Sequence, residues 1–103
     1  MSKTDTLTKN KIQVKTNIQP PSLFNVIYYN DDVTTMEFVI ETLKSIFNHN
    51  EETAIKLTTK IHEDGSAVVS TLPYEIAEQK GVEATILARN NGFPLSVKLE
   101  PAA

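Results

Sequence analysis

Asn30, Asp31 and Asp32 set two carboxylates and an amide oxygen side by side, just after a dense apolar run and just before a periodic one. An acceptor-rich cluster in that position has three possible chemistries. It can fold a turn and accept the free N–H groups of a helix N-terminus, where the dipole favours negative charge. It can hold a cation, either a metal or an organic ammonium group. It can also act as a carboxyl pair in hydrolysis, which requires the two groups at a defined separation. A hard metal wants about six oxygen ligands in strict spacing, and the sequence has no such loop. The turn, the ammonium site and the carboxyl pair all remain open on these residues alone.

Other chemistry is sparse. There is no cysteine, which excludes disulfides, zinc-thiolate sites and thiol nucleophiles. Only three glycines occur, with no glycine-rich phosphate loop, and no serine or threonine sits in a nucleophile-elbow motif. Of the two histidines, His49 lies among asparagines and reads as an exposed linker residue. His62 follows Ile61 near the end of an apolar periodic stretch, where a histidine usually partners the helix dipole.

The elements that must position these residues follow from patterning. LFNVIYY (23–29) is rich in β-branched and aromatic residues and reads as a strand that Asn30-Asp31-Asp32 terminates. Thr34 with Glu37 forms a capping box, so a helix is expected to start at Thr34. Met36, Val39, Ile40, Leu43, Ile46 and Phe47 form its apolar face. Asn50 is suited to cap a second helix that runs to about His62 and stops at Gly65. SAVVSTL (66–72) reads as a second strand, and Pro73 opens a third helix. Its buried face is expected to hold Ile76, Ala77, Ala84, Leu87 and Ala88, with Gly81 permitting close approach. Asn90-Asn91-Gly92 ends it, and LSVKL (95–99) alternates as a half-buried strand.

The order β-α-α-β-α-β predicts an α+β domain with three helices packed on one face of a three-stranded, mainly antiparallel sheet. With 103 residues the chain suits one domain. Apolar residues are few before Pro20-Pro21, Leu7, Ile12 and Val14 among them, so residues 1–21 are expected to be a flexible extension and residues 22–103 the core. The extension carries four lysines against one aspartate, a net +3, which leaves six basic and twelve acidic residues in the rest. An acidic body repels phosphate backbones, so nucleic acid is not expected as a partner. No apolar run approaches the roughly 20 residues of a membrane span. No secretory leader is visible, and the expected location is the cytoplasm.

PPSLFNVIYYNDDVTTMEFVIETL, from Pro20 to Leu43, closely resembles the segment PPSxYxVxxxNDDxTPMEFV of the ClpS family of protease adaptors. The resemblance continues in register through His62, Gly65, the helix with Glu75, Ala77 and Lys80, and the run from Ala88 through Pro94 to Leu99.

The resemblance implies a non-catalytic adaptor without cofactor or metal. Such an adaptor binds proteins whose first residue is Leu, Phe, Tyr or Trp and passes them to the AAA+ unfoldase ClpA, partner of the ClpP protease. Carried over by position, Asn30, Asp31 and His62 would bind the α-amino group. Thr34, Met36, Val39, Thr58, Ile61 and Leu95 would line the side-chain pocket, with Tyr28 and Tyr29 near its wall. Glu75 and Lys80 match positions that dock the unfoldase, and a monomer is expected. Two departures stand out: Thr35 replaces the usual proline, and Thr58 stands where relatives commonly carry methionine. The rival readings are an interaction domain like the C-terminal domain of the ribosomal stalk protein, and a small metal-dependent hydrolase using Asp31, Asp32 and His62.

Overall fold

The apolar run that precedes the acidic cluster becomes the centre of the sheet. In the computed structural model, which describes residues 20–103, Leu23–Tyr29 forms β1, flanked by β2 (Ser66–Pro73) and β3 (Ser96–Pro101). Both pairings are antiparallel, giving the order β2-β1-β3. Three helices complete the α+β domain: α1 (Met36–Ser45), α2 (Glu51–Asp64) and α3 (Tyr74–Asn90). Apart from Pro20 and Pro21, the expected extension lies outside the described residues.

Val26 and Tyr28 of β1, Ala67 and Val69 of β2 and the half-buried Val97 and Leu99 of β3 meet Val39, Leu43, Ile61, Ala77, Ala84 and Ala88 from the helices in a single core. Asn50 caps α2 as expected, its Oδ1 accepting from the Thr53 N–H at 2.8 Å. Gly65 ends α2 in the left-handed region at φ 92°, as only glycine does cheaply.

The start of α1 is shifted. Thr35, not Thr34, is the N-cap, and its Oγ1 accepts from the Phe38 N–H at 3.2 Å. Thr34 is drawn into the preceding turn because both its N–H and its hydroxyl donate to Asp31. These two charge-assisted bonds hold Thr34 within the turn, so the cap falls one residue later.

α3 also differs. Ala77, Gly81, Ala84 and Ala88 face the sheet, whereas Ile76 and Leu87 are exposed. The stripe of small residues brings the helix close to β3: a Cβ on Gly81 would meet Val97 Cγ1 at 3.5 Å. That is ordinary contact, so the packing excludes long side chains rather than a methyl group. Leu95 is buried but precedes β3, which begins at Ser96.

His49 is not an exposed linker. The β1–β2 register slips between Val26 and Ile27, which pair with Ser70 and Val68, so Val69 is an extra, bulged residue. Its freed carbonyl accepts from His49 Nε2 at 2.6 Å, pinning the α1–α2 loop to the sheet.

Tyr28, expected near the pocket wall, belongs to the core cluster. It is fully buried, its hydroxyl bonded to Thr42 Oγ1 at 2.9 Å and its ring edge-on to Phe47 at 6.0 Å. Burial pushes its phenol up from 10.0 to about 12, against the opposing hydrogen bond with Thr42. The folded state therefore holds this proton more tightly than the unfolded chain. The stability it adds is complete below about pH 10 and is lost as pH rises through about 12. As pH rises from about 10 to beyond about 12, the wild type should lose on the order of 2–3 kcal/mol of stability that Tyr28→Phe retains. Parallel unfolding curves across that range would contradict the assignment.

Candidate functional site

The site is built where β1 runs into α1. Asp31, half-buried, accepts at Oδ1 from the N–H groups of Val33 at 2.8 Å and Thr34 at 2.7 Å. Its Oδ2 accepts from Thr34 Oγ1 at 2.7 Å. Partial burial works against ionisation, but the Thr34 and Val33 bonds and the nearby Arg89 cation outweigh it and hold this carboxyl below its usual value. Asp31 is thus an anion at neutral pH. A carboxylate has about four acceptor positions, so an incoming donor still finds room on Oδ2.

Asn30, exposed, sits beside the end of α2, because its backbone N–H donates to Gly65 O at 2.9 Å. His62 is on the last turn of α2, three residues before Gly65, and is also exposed. One backbone bond therefore ties the acidic turn to the helix end that bears the histidine.

The apolar candidates divide. Val39, Ile61 and Leu95 belong to the buried cluster, each no more than 6% exposed. Thr58 lies on the same face of α2 as Ala54 and Ile61 and is 2% exposed, yet its hydroxyl has no hydrogen-bond partner. Thr34 is half-buried and committed to Asp31, and Met36, at the first turn of α1, is exposed. Tyr29 is half-buried at the end of β1, with Lys98 Nζ 5.8 Å from its ring centre.

The two surface candidates differ as well. Glu75 is exposed in the first turn of α3. Lys80 is half-buried and donates from Nζ to Ile46 O at 2.8 Å, so it caps the end of α1, where a cation also complements the helix dipole.

Three residues that patterning did not single out complete the surroundings. Phe38 of α1 packs on Phe93 at 4.9 Å between ring centres. Arg89 donates from Nη1 to Phe93 O and Leu95 O, both at 2.9 Å. A basic residue in the last turn of a helix signals a dipole partner, and nothing in the sequence indicates that its guanidinium folds back on the next loop.

Among the described residues, no group of three or more His, Cys, Asp or Glu side chains is arranged to hold a metal ion, and no helix is long and apolar enough to cross a membrane. The site offers a carboxylate fixed by its own turn, at the junction of the strand and helices that also supply the apolar cluster, and such a pairing suits an organic cation with a hydrophobic substituent.

Residues 19–98 match the family described as ATP-dependent Clp protease adaptor protein ClpS. The chain belongs to the ClpS family. ClpS proteins are adaptors, not enzymes, and this removes the hydrolase reading. The ATP-dependent Clp protease adapter protein ClpS of Nautilia profundicola is 45% identical over 93 residues, covering 90% of this chain and 96% of the relative. Its counterpart in Clostridium acetobutylicum is 42% identical over 88 residues, covering 85% of this chain and 87% of the relative. A solved structure, Agrobacterium tumefaciens ClpS2 bound to L-phenylalaninamide, is 43% identical with a TM-score of 0.77, covering 80% of this chain and 99% of that one.

The grip of Thr34 on Asp31 can be measured. In Thr34→Val the hydroxyl bond is lost, so the Asp31 carboxyl should titrate at higher pH than in the wild type, followed by carbon NMR of the side chain. An unchanged titration would mean that the Thr34 hydroxyl does not act on it.

Proposed function

We propose that this ClpS protein binds proteins with a free N-terminal Leu, Phe, Tyr or Trp and hands them to a ClpA-like AAA+ unfoldase for degradation by ClpP, altering the unfoldase's choice of substrates. The observation that carries this reading is the Asp31 carboxylate, ionised and fixed by its own turn next to a buried apolar cluster.

The chemistry matches a chain start. An α-amino group has a pKa of about 8 and is mostly cationic at neutral pH. In the proposal the Asp31 carboxylate, the Asn30 side-chain oxygen and an imidazole nitrogen of His62 accept from it, each charge-assisted bond contributing roughly 1.5–3 kcal/mol. The first side chain is buried against Val39, Thr58, Ile61 and Leu95, with Thr34 and Met36 at the rim, for about 1.5–3 kcal/mol more. An internal leucine brings no ammonium and would leave the acceptors unpaired. L-phenylalaninamide, the ligand of the Agrobacterium ClpS2, reduces such a chain start to a free amine, an amide and a benzyl group, which supports the same use here.

On the opposite task, Glu75 and Lys80 form the docking contact for the unfoldase's N-terminal domain. Lys80 has three donors and spends one on Ile46, which leaves two for a partner. Residues 1–21 serve as the arm that the unfoldase engages during delivery, and residues 22–103 act as the recognition core.

Two experiments test the reading. A Phe-starting peptide should bind the wild type, bind Asp31→Ala at least about tenfold more weakly, and bind neither after acetylation of its amine. Equal binding of free and acetylated peptides would overturn amine capture. Thr58 offers a smaller and more polar wall than methionine, so wild type and Thr58→Met should rank peptides with different first residues differently. Identical rankings would remove Thr58 from the pocket.

A further inference from the structure

The loop from α3 to β3 is held at its start by its own backbone and beyond that by one side chain. Asn91 and Gly92 close the end of α3, with Gly92 at φ 80°, and the Phe93 N–H returns to Ala88 O at 2.9 Å. Pro94 then removes one backbone donor. The carbonyls on either side of it, Phe93 O and Leu95 O, both accept from Arg89 Nη1 at 2.9 Å. In an extended chain, carbonyls two residues apart point the same way and side chains two apart share a face. The side chains of Phe93 and Leu95 do so: Phe93 lies against Phe38 of α1, and Leu95 is 1% exposed in the core cluster. The same guanidinium is close enough to Asp31 to favour its charged form. One residue thus touches both halves of the site, the apolar wall through hydrogen bonds and the carboxylate through its field.

We propose that Arg89 is a positioning residue for selection of the first side chain: by gathering the Phe93 and Leu95 carbonyls on a single guanidinium nitrogen, it sets where those two side chains stand against α1. The inference rests on the reading that Leu95 lines the side-chain pocket. Methionine at position 89 keeps the aliphatic stem but loses both donors and the charge. Lysine keeps the charge near Asp31, but its stem ends one atom short of Nη1 and its amine is not held in a plane between the two carbonyls.

The test titrates the full chain, Arg89→Met and Arg89→Lys with fluorescent peptides that differ only in a first residue of Phe, Leu or Val, each free and acetylated. Circular dichroism and thermal unfolding report whether each variant is folded. Arg89→Met should shrink the Phe-over-Val preference about fivefold or more while still rejecting acetylated peptides. Arg89→Lys should likewise show a reduced Phe-over-Val preference while still rejecting acetylated peptides, whereas mere loss of stability weakens Phe and Val peptides alike. A Phe-over-Val ratio unchanged in folded variants would overturn the proposal, and if Arg89→Met fails to fold, Arg89→Lys decides by the same ratio. Wild-type binding of acetylated peptides would sink amine capture instead, leaving the ratio to judge Arg89. A wild type that does not prefer Phe to Val would count against both.

Discussion

Asp31 is held rigidly by its own turn yet keeps acceptor capacity free, and the rest of this site follows from that constraint. Its three internal hydrogen bonds come from residues two and three positions later, so the carboxyl is fixed by the turn it creates. That turn also sets the start of α1, because Thr34 is occupied and Thr35 must cap the helix. At the other side the Asn30 N–H anchors the strand end to the Gly65 carbonyl, at the left-handed stop of α2. The turn is therefore the junction at which a central strand and two helices are aligned, and distortion there would move the acidic and apolar halves of the site together.

Neither half suffices by itself. Association costs about 4–15 kcal/mol in lost translational and rotational freedom. A single buried side chain at about 1.5–3 kcal/mol, or a single charge-assisted bond of similar size, falls short of that. Only a ligand that presents an ammonium and a large apolar group at the correct separation engages both. The proposed selectivity for chain starts thus arises from a sum of modest terms, and it depends on a rigid spacing between Asp31 and the wall formed by Val39, Ile61 and Leu95.

Much of this was legible in the chain. The element order, the Asn50 cap and the Gly65 stop follow from local chemistry and appear as expected. What was not legible involves partners distant in sequence or competition between neighbours. Thr34 has the residue type and spacing of a cap, and the acceptor that draws it into the turn, Asp31, is in reach only once the turn is folded. Ile76 and Leu87 have the bulk that usually marks a buried face, whereas the sheet admits only the Ala77, Gly81, Ala84, Ala88 stripe. No local pattern announces the bulge at Val69, so nothing linked it to His49. Lys80 sits 34 residues from the carbonyl it caps, and a helical lysine does not reveal such a partner.

His49, Lys80 and Arg89 show a common economy. Each spends its donors on backbone carbonyls left open by a bulge, a helix end or a loop. Ion pairs among the described residues are confined to exposed helix surfaces, Lys44 with Glu51 and Lys56 with Glu52. Among the described residues the basic groups used as backbone caps form no salt bridge with a carboxylate, so the acidic excess beyond residue 21, twelve acidic against six basic residues, stays largely unpaired. Such a field favours the approach of a cation, and it would also push a lone carboxyl toward protonation. The bonds that Thr34 and Val33 give to Asp31, with Arg89 close by, counter that push at the one place where the charge must persist. The acidic body can therefore attract an ammonium over a long range while Asp31 stays ionised to receive it.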